Sequence, residues 1–436
     1  MKKPTFPRRL YTRGAEPEAQ KSISYGSNDK KLFAAVKKLL SDAEWETLCD
    51  SRVGVFCKFH DLDFAWSSKL VHTMLSYQLE CKKKYEIWVA VADSPIRFSL
   101  HEFEHLTGLN CDYVEDIDDP KCKVTLEMRA FWEKLGVDVE LGPSQVEIIR
   151  ACEWATDWPS EDKLRLGYLA IYTGFIAARK NTSHTPVNLA RLVMDEEEFE
   201  NYPWGRVAFK NLIEAVKEAE LWKSGYVLDG FVEALQVWAY RFMPEFGAGC
   251  GAPIRNAPDI PLLSYKGVQG LRNIELTILK QVNFDHCIMV ERDFVYPKWD
   301  EDKEDPRVDE LINALYGDLG RWRWKPADWN PQGVLKRQCP ESVSSAEDGF
   351  SRFEEKMKVL FEDGFGKLSA AMKSGFEQSD SKFTILTRKV IRIEKTVQSM
   401  QAASRRPNTE PVEPDANNEK NEPSIEDGRA EEKFCN

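Results

Sequence analysis

Apolar positions fall at helical spacing along most of the chain. Thr125–Leu135 and Ser144–Ala155 place apolar residues three and four apart, and Ser144 with Glu147 forms a capping box, which satisfies two otherwise unpaired backbone N–H groups. Leu164, Leu169, Tyr172, Phe175 and Ile176 continue that spacing. Leu228, Phe231, Val232, Leu235, Trp238, Ala239 and Phe242 make a wide apolar stripe of about four turns, which Pro244 ends. Two short alternating runs, Val53–Phe59 and Tyr85–Val91, read as strands. Gly247–Pro261 is rich in Gly and Pro and reads as a loop.

The most regular periodicity comes late. Phe376, Phe383, Val390 and Val397 recur every seven residues, and Ser379, Leu386, Ile393 and Met400 follow them at an offset of three. That is the a/d seam of a coiled coil. Phe350, Phe353, Met357 and Leu360 start the same pattern upstream. Gly364 and Gly366 interrupt it, and Phe365, Leu368 and Met372 resume it in a shifted register, which alters a supercoil without ending the helix. No Pro falls within 367–403. A helix with one apolar seam buries it on a partner, so 346–403 is expected to self-associate; the other reading folds it back on its own body.

The fold class expected is mainly α with a few short strands, an α+β body, followed by a C-terminal coiled-coil helix and a disordered tail. The expected divisions are a basic disordered arm over 1–30 and a helix-rich domain with its extension over 31–290. An acidic, Trp-rich connecting segment over 291–345, the coiled coil over 346–403 and an acidic disordered tail over 404–436 follow.

Charge supports these ends. The 436 residues carry 60 Lys and Arg against 72 Asp and Glu, a net of −12. Residues 1–31 hold eight bases and three acids, whereas 407–436 hold nine acids and three bases with only six apolar residues. So sparse an apolar content does not offset the entropy of ordering. The acidic balance argues against general binding to phosphate backbones, except through the basic arm. The longest uncharged apolar stretch, Leu166–Ala178, is too short to cross a bilayer, and the N-terminus lacks the apolar core of a secretion signal. The ten cysteines include no pair closer than eight residues, which argues against a paired-cysteine zinc site and for reduced, mostly buried thiols in an intracellular protein, nuclear or cytoplasmic.

One motif invites a reaction. His101-Glu102-Phe103-Glu104-His105 matches H-E-x-x-H, in which two histidines one turn apart hold zinc and the glutamate activates its water. Gly108 and Cys111 extend the match, so the zinc ligands would be His101, His105 and Cys111. Local helix chemistry explains the same residues. Ser99 and Glu102 form a capping box, Phe98 and Phe103 a hydrophobic staple, and Gly108 a C-terminal cap. Leu100, Phe103, Leu106 and Thr107 share one face, which turns His101 and His105 toward solvent. The expectation is therefore no catalytic residue, no metal and no cofactor. Tyr202–Gly205 and Arg321–Trp324 read as packing aromatics, with cation–π packing for the second and an exposed docking patch as its alternative.

The stretch from Phe56 to Cys111 carries Ile87-Trp88, then Ile96-Arg-Phe-Ser-Leu-x-Glu-Phe103, then Leu106-Thr-Gly-Leu-Asn-Cys111. It resembles a plant family catalogued as a domain of unknown function, number nineteen eighty-five, with the likeness extending to about residue 200. The resemblance implies a domain that stands N-terminal to SUMO-protease-type cysteine protease domains in genes derived from Mutator-like transposons. The family's motif has Glu and Phe at the positions of Glu102 and Phe103 but does not require the histidines. No His-Trp pair of the protease type occurs here, and Cys435 has no downstream His.

The functional expectation is a non-enzymatic protein-interaction or accessory module of a transposon-derived plant protein. It self-associates through Phe376, Phe383, Leu386, Val390, Ile393, Val397 and Met400, has an unidentified protein partner and has no membrane partner. The second reading is a degenerate or truncated SUMO-protease relative or, behind it, a zinc peptidase. The third is nucleic-acid binding by the arm, which requires salt-sensitive binding lost on deleting 1–31.

Overall fold

The computed structural model describes residues 4–18, 23–27, 30–317 and 323–329. The chain divides into Met1–Cys339 and Pro340–Asn436, and every described residue belongs to the first unit. The coiled coil, its seam from Phe376 to Met400, and the acidic tail lie outside the described residues.

The described residues form fifteen α-helices and two sheets of two strands each. Strand β1 (Ile23–Tyr25) precedes α1 (Lys30–Leu39), α2 (Asp42–Asp50), α3 (Val55–Asp61) and α4 (Ser68–Ser76). A hairpin follows, β2 (Ile87–Val91) and β3 (Ser94–Phe98), then α5 (Leu100–Thr107), α6 (Leu126–Leu135), α7 (Gln145–Trp154) and α8 (Ser160–Ile171), the last closed by a π turn over Tyr172–Ile176. The short α9 (Val187–Arg191) and α10 (Glu196–Asn201) lead into α11 (Trp204–Glu218), β4 (Tyr226–Leu228), α12 (Glu233–Phe242), α13 (Pro244–Cys250), α14 (Ile274–Ile278) and α15 (Pro306–Tyr316).

Local chemistry sets many of these ends. The same Ser-x-x-Glu device opens α2 at Ser41–Glu44, α5 at Ser99–Glu102 and α7 at Ser144–Glu147. Gly108 and Gly136 close α5 and α6 in the left-handed region, at φ 69° and 72°.

Three expectations change. Val53–Phe59 is not a strand: α3 begins at Val55. Phe56 stacks on Phe175 and meets Phe231 edge-on, while Phe59 meets Phe64 and Phe231. A short, mostly apolar run is a buried helix as readily as a strand, and the surrounding aromatic core decides it. The stripe from Leu228 to Phe242 is helical only from Glu233, because Leu228 pairs with Tyr25 across a parallel ladder. The expected loop from Gly247 starts at Gly251. Pro244 ends α12 and also opens α13, and a side chain on Gly247 would lie 2.3 Å from the Tyr240 carbonyl oxygen, so the two helices meet through bare backbone.

The hairpin is buried on both faces. Ile87, Val89, Val91, Ile96 and Phe98 join the main core, while Trp88 and Ala90 join a second, smaller core. Its turn residues, Ala92 and Asp93, have φ of 46° and 66°, the left-handed pair that a two-residue hairpin turn requires. The second core is completed by distant segments: Phe6, Leu79, Val295, Val308, Leu311, Ile312 and Trp329. Trp329 donates its indole N–H to the Asp93 carbonyl at 2.9 Å, and Trp324 stacks on Trp329.

Burial in the two cores also changes the reading of the ends. In its described part, the arm expected to be disordered and solvated buries Phe6, Tyr11 and Ile23. Arg9 pairs with Glu16 and Arg13 with Asp93. The segment read as a connector packs α15 and Trp329 on the hairpin. The outer face of an apolar hairpin needs cover, and these segments supply it.

Candidate functional site

The H-E-x-x-H match lies on α5, immediately after β3. On β3, side chains alternate between the faces, and Arg97 pairs in register with Trp88. The Trp88 face is the one covered by the later chain, so a cation points into the layer between the two cores.

Arg97 and Glu102 are both fully buried, at 0% side-chain exposure. Arg97 Nε donates to Glu102 Oε1 and Oε2 at 3.1 and 3.0 Å, and its NH2 group donates to Oε1 at 3.0 Å. Glu102 also accepts from the Ser99 N–H at 2.8 Å, the Ser99 hydroxyl at 2.5 Å and the Ile288 N–H at 2.8 Å. Arg97 donates onward to the carbonyls of Val295 and Ile288, at 3.0 and 3.4 Å. Its own N–H donates to the His286 carbonyl, and its carbonyl accepts from the Trp238 indole, both at 2.8 Å. One ion pair thus ties β3, α5, α12 and the 286–295 segment together.

A second acid, Glu86, is buried near the same cation. Its carboxyl, fully buried, is pushed above the usual range by desolvation, with Arg97 and the Trp88 indole N–H acting the other way. Burial disfavours the Arg97 charge, but Glu102 and Glu86 outweigh it, so Arg97 holds its proton more tightly than a free guanidinium.

The histidines do not face open solvent as expected. His101 Nε2 lies 2.8 Å from the Phe294 carbonyl. Because a carbonyl only accepts, Nε2 carries the hydrogen and has no lone pair for a metal. His105 Nε2 lies 3.2 Å from Arg241 Nε, so its lone pair accepts from the guanidinium. Desolvation lowers both histidines below their usual value, and Arg241 adds to this for His105. Cys111 is buried, and a side chain on Gly205 would strike its sulfur. Burial raises its thiol well above the ordinary range. Among the described residues, no three His, Cys, Asp or Glu side chains are grouped to hold a metal ion.

The capping reading of α5 agrees with the structure. The Phe98 and Phe103 rings meet edge-to-face at 6.5 Å, and the Gly108 N–H donates to the Glu104 carbonyl at 2.7 Å. The packing reading of Tyr202–Gly205 also agrees: Trp204 is buried against Tyr172, Phe199 and Tyr202.

Residues 75–215 match the family model described as a domain of unknown function, DUF1985. The match starts later than the expected Phe56 and reaches past residue 200. It holds the hairpin and α5 through nearly all of α11, and thus both members of the ion pair. The DUF1985 match does not include the 286–295 segment, which supplies two of the carbonyls that Arg97 grips and the N–H that Glu102 accepts. No curated protein and no solved structure matches the chain.

Arg97 is the residue that sequence reasoning passed over. Its signal was present: one Arg in a strand of otherwise apolar alternation, five residues before a Glu. Away from this site, a polar cleft of about 530 Å³ is lined by Glu16, Lys69, His72 and Glu275 among others. Both His72 nitrogens are occupied there, by the Tyr226 hydroxyl and the Pro17 carbonyl, each at 3.0 Å. No described helix is long and apolar enough to cross a membrane.

Proposed function

We propose that this chain is a non-enzymatic protein-interaction or accessory module that self-associates through 346–403. The observation that carries the non-enzymatic part is the state of Glu102. Both carboxylate oxygens are committed to Arg97, Ser99 and Ile288, so no oxygen is left to accept a proton from a metal-bound water. The heptad seam from Phe376 to Met400 supports self-association. The resemblance to a family found beside SUMO-protease-like domains supports a transposon-derived plant protein, nuclear or cytoplasmic, as its setting.

Light scattering on the full chain and on residues 1–345 tests the self-association. The full chain should be oligomeric and the shorter one monomeric. Monomers in both cases would remove the oligomer claim. Hydrolysis of SUMO precursors by the purified chain would overturn the non-enzymatic reading.

A further inference from the structure

Strand β4 has an open edge. Among the described residues it pairs with β1 alone, in a parallel ladder of three residues that runs from Ile23 with Tyr226 to Tyr25 with Leu228. Alternate residues of a strand turn their N–H and C=O to opposite sides, so part of the β4 backbone points away from β1. A groove of about 360 Å³ opens between β4 and the end of α11, walled by Ala215, Glu218 and Ala219 on the helix and by Gly225, Tyr226 and Val227 on the strand. No β1 residue lines it, so it lies on the side of β4 that β1 leaves open.

The body holds β4 firmly while its outer side stays bare. Tyr226 reaches inward, with its hydroxyl 3.0 Å from His72 Nδ1, and Leu228 is fully buried. Val227 between them is 60% exposed, and Trp222 in the preceding turn is exposed as well. Edge strands are ordinarily blunted by a free Lys, a Pro or a covering segment. Residues 219–230 contain no Pro, and their one base, Lys223, already pairs with Glu220. The remaining charges of the groove are acidic, Glu218 and Asp229. Burial pushes the Asp229 carboxyl up, with Arg179 opposing, so a further cation at this place would be favourable.

We propose that the β4 edge takes up an extended basic segment of a partner protein as a third strand, with the partner's Lys or Arg side chains meeting Glu218 and Asp229. This rests on the protein-interaction reading above and names one surface and one kind of partner for it. Main-chain bonds to β4 hold the segment, and its side chains give the preference. Successive side chains of a strand face opposite ways, so a sequence alternating apolar and basic residues offers apolar contact to Val227 and charge to the carboxylates. A second copy of β4 is the poorer occupant, because it brings the same acids against each other. A ladder this short gives a weak, transient contact.

The test titrates the full chain into a fluorescein-labelled peptide, Lys-Val-Lys-Val-Lys, and follows anisotropy, then maps the bound state by amide hydrogen exchange. The peptide should bind and slow exchange within 225–229. Methylating alternate backbone nitrogens of the peptide should abolish binding, and so should replacing its Lys by Glu. Glu218→Lys, a change at an exposed helix end, should weaken binding several-fold and leave the exchange of the free chain as it is. The two peptide controls stand even if that variant fails to fold. No binding of the Lys peptide would overturn the proposal, as would equal binding of the methylated or the Glu peptide, or protection that falls elsewhere. Protection of 225–229 that rises with protein concentration in the absence of peptide would instead assign the edge to a second copy. None of these outcomes alters the light-scattering test of 346–403, so the two readings fail separately.

Discussion

Arg97 and Glu102 form a two-point ion pair with no exposure to solvent, and the cation also grips the carbonyls of Ile288 and Val295. The glutamate of an apparent catalytic motif is thus the counter-ion of a buried clasp that joins residues some 190 positions apart.

Breaking the clasp on one side leaves a charge buried alone. Arg97→Met and Glu102→Leu should each cost on the order of 3–5 kcal/mol. The double variant should cost far less than their sum, because an apolar pair removes both charges together. Urea denaturation of the full chain measures this. Additive losses would show that the two side chains are not coupled.

Stability should respond to pH through Glu233. This carboxyl is fully buried, and desolvation raises it from 4.5 to about 7, against the Ser27 hydroxyl that donates to it at 2.5 Å. Above the unfolded value the unfolded chain releases this proton while the folded chain keeps it. Stability therefore falls as pH rises from about 4.5 to about 7 and levels beyond, by roughly 3 kcal/mol in total. Glu233→Gln should flatten that part of the curve relative to the wild type, as read by denaturation at a series of pH values.

Metal analysis of the purified chain should find no stoichiometric zinc. His101→Ala should then cost only the bond to the Phe294 carbonyl, about 1 kcal/mol. Zinc at one equivalent, lost in His101→Ala or His105→Ala, would restore the peptidase reading.

A charge in the seam should dissolve the oligomer. Val390→Asp with Ile393→Asp places carboxylates at successive a and d positions, where a coiled coil excludes them. Sedimentation should show the full-length variant as a monomer with the helical content of its body kept. An unchanged mass would place the self-association elsewhere.

Much of the local structure was legible in the residues. The helical spacing of Thr125–Leu135 and Ser144–Ala155, the Ser99–Glu102 cap and the left-handed Gly108 are decided within a turn or two, by side chains that reach their own backbone. Pro244 was legible as the end of one helix. That it also opens the next depends on how Gly247 meets Tyr240, a contact between two helices rather than a property of either.

The site was legible only in part. The capping role of Glu102 could be read from Ser99, three residues away, and it already competed with the zinc reading. The role of Arg97 could not be weighed without knowing that residues 286–295 return across the hairpin. The run Tyr85–Val91 was legible as a strand, but only the covering chain decided that both of its faces are buried. By itself, the sequence determined a mostly helical body, its caps and its apolar faces, because backbone hydrogen bonds and side-chain periodicity are local. Tertiary structure alone decided which charges meet, because burial brings together groups that the chain keeps far apart, and their chemistry changes once water is excluded.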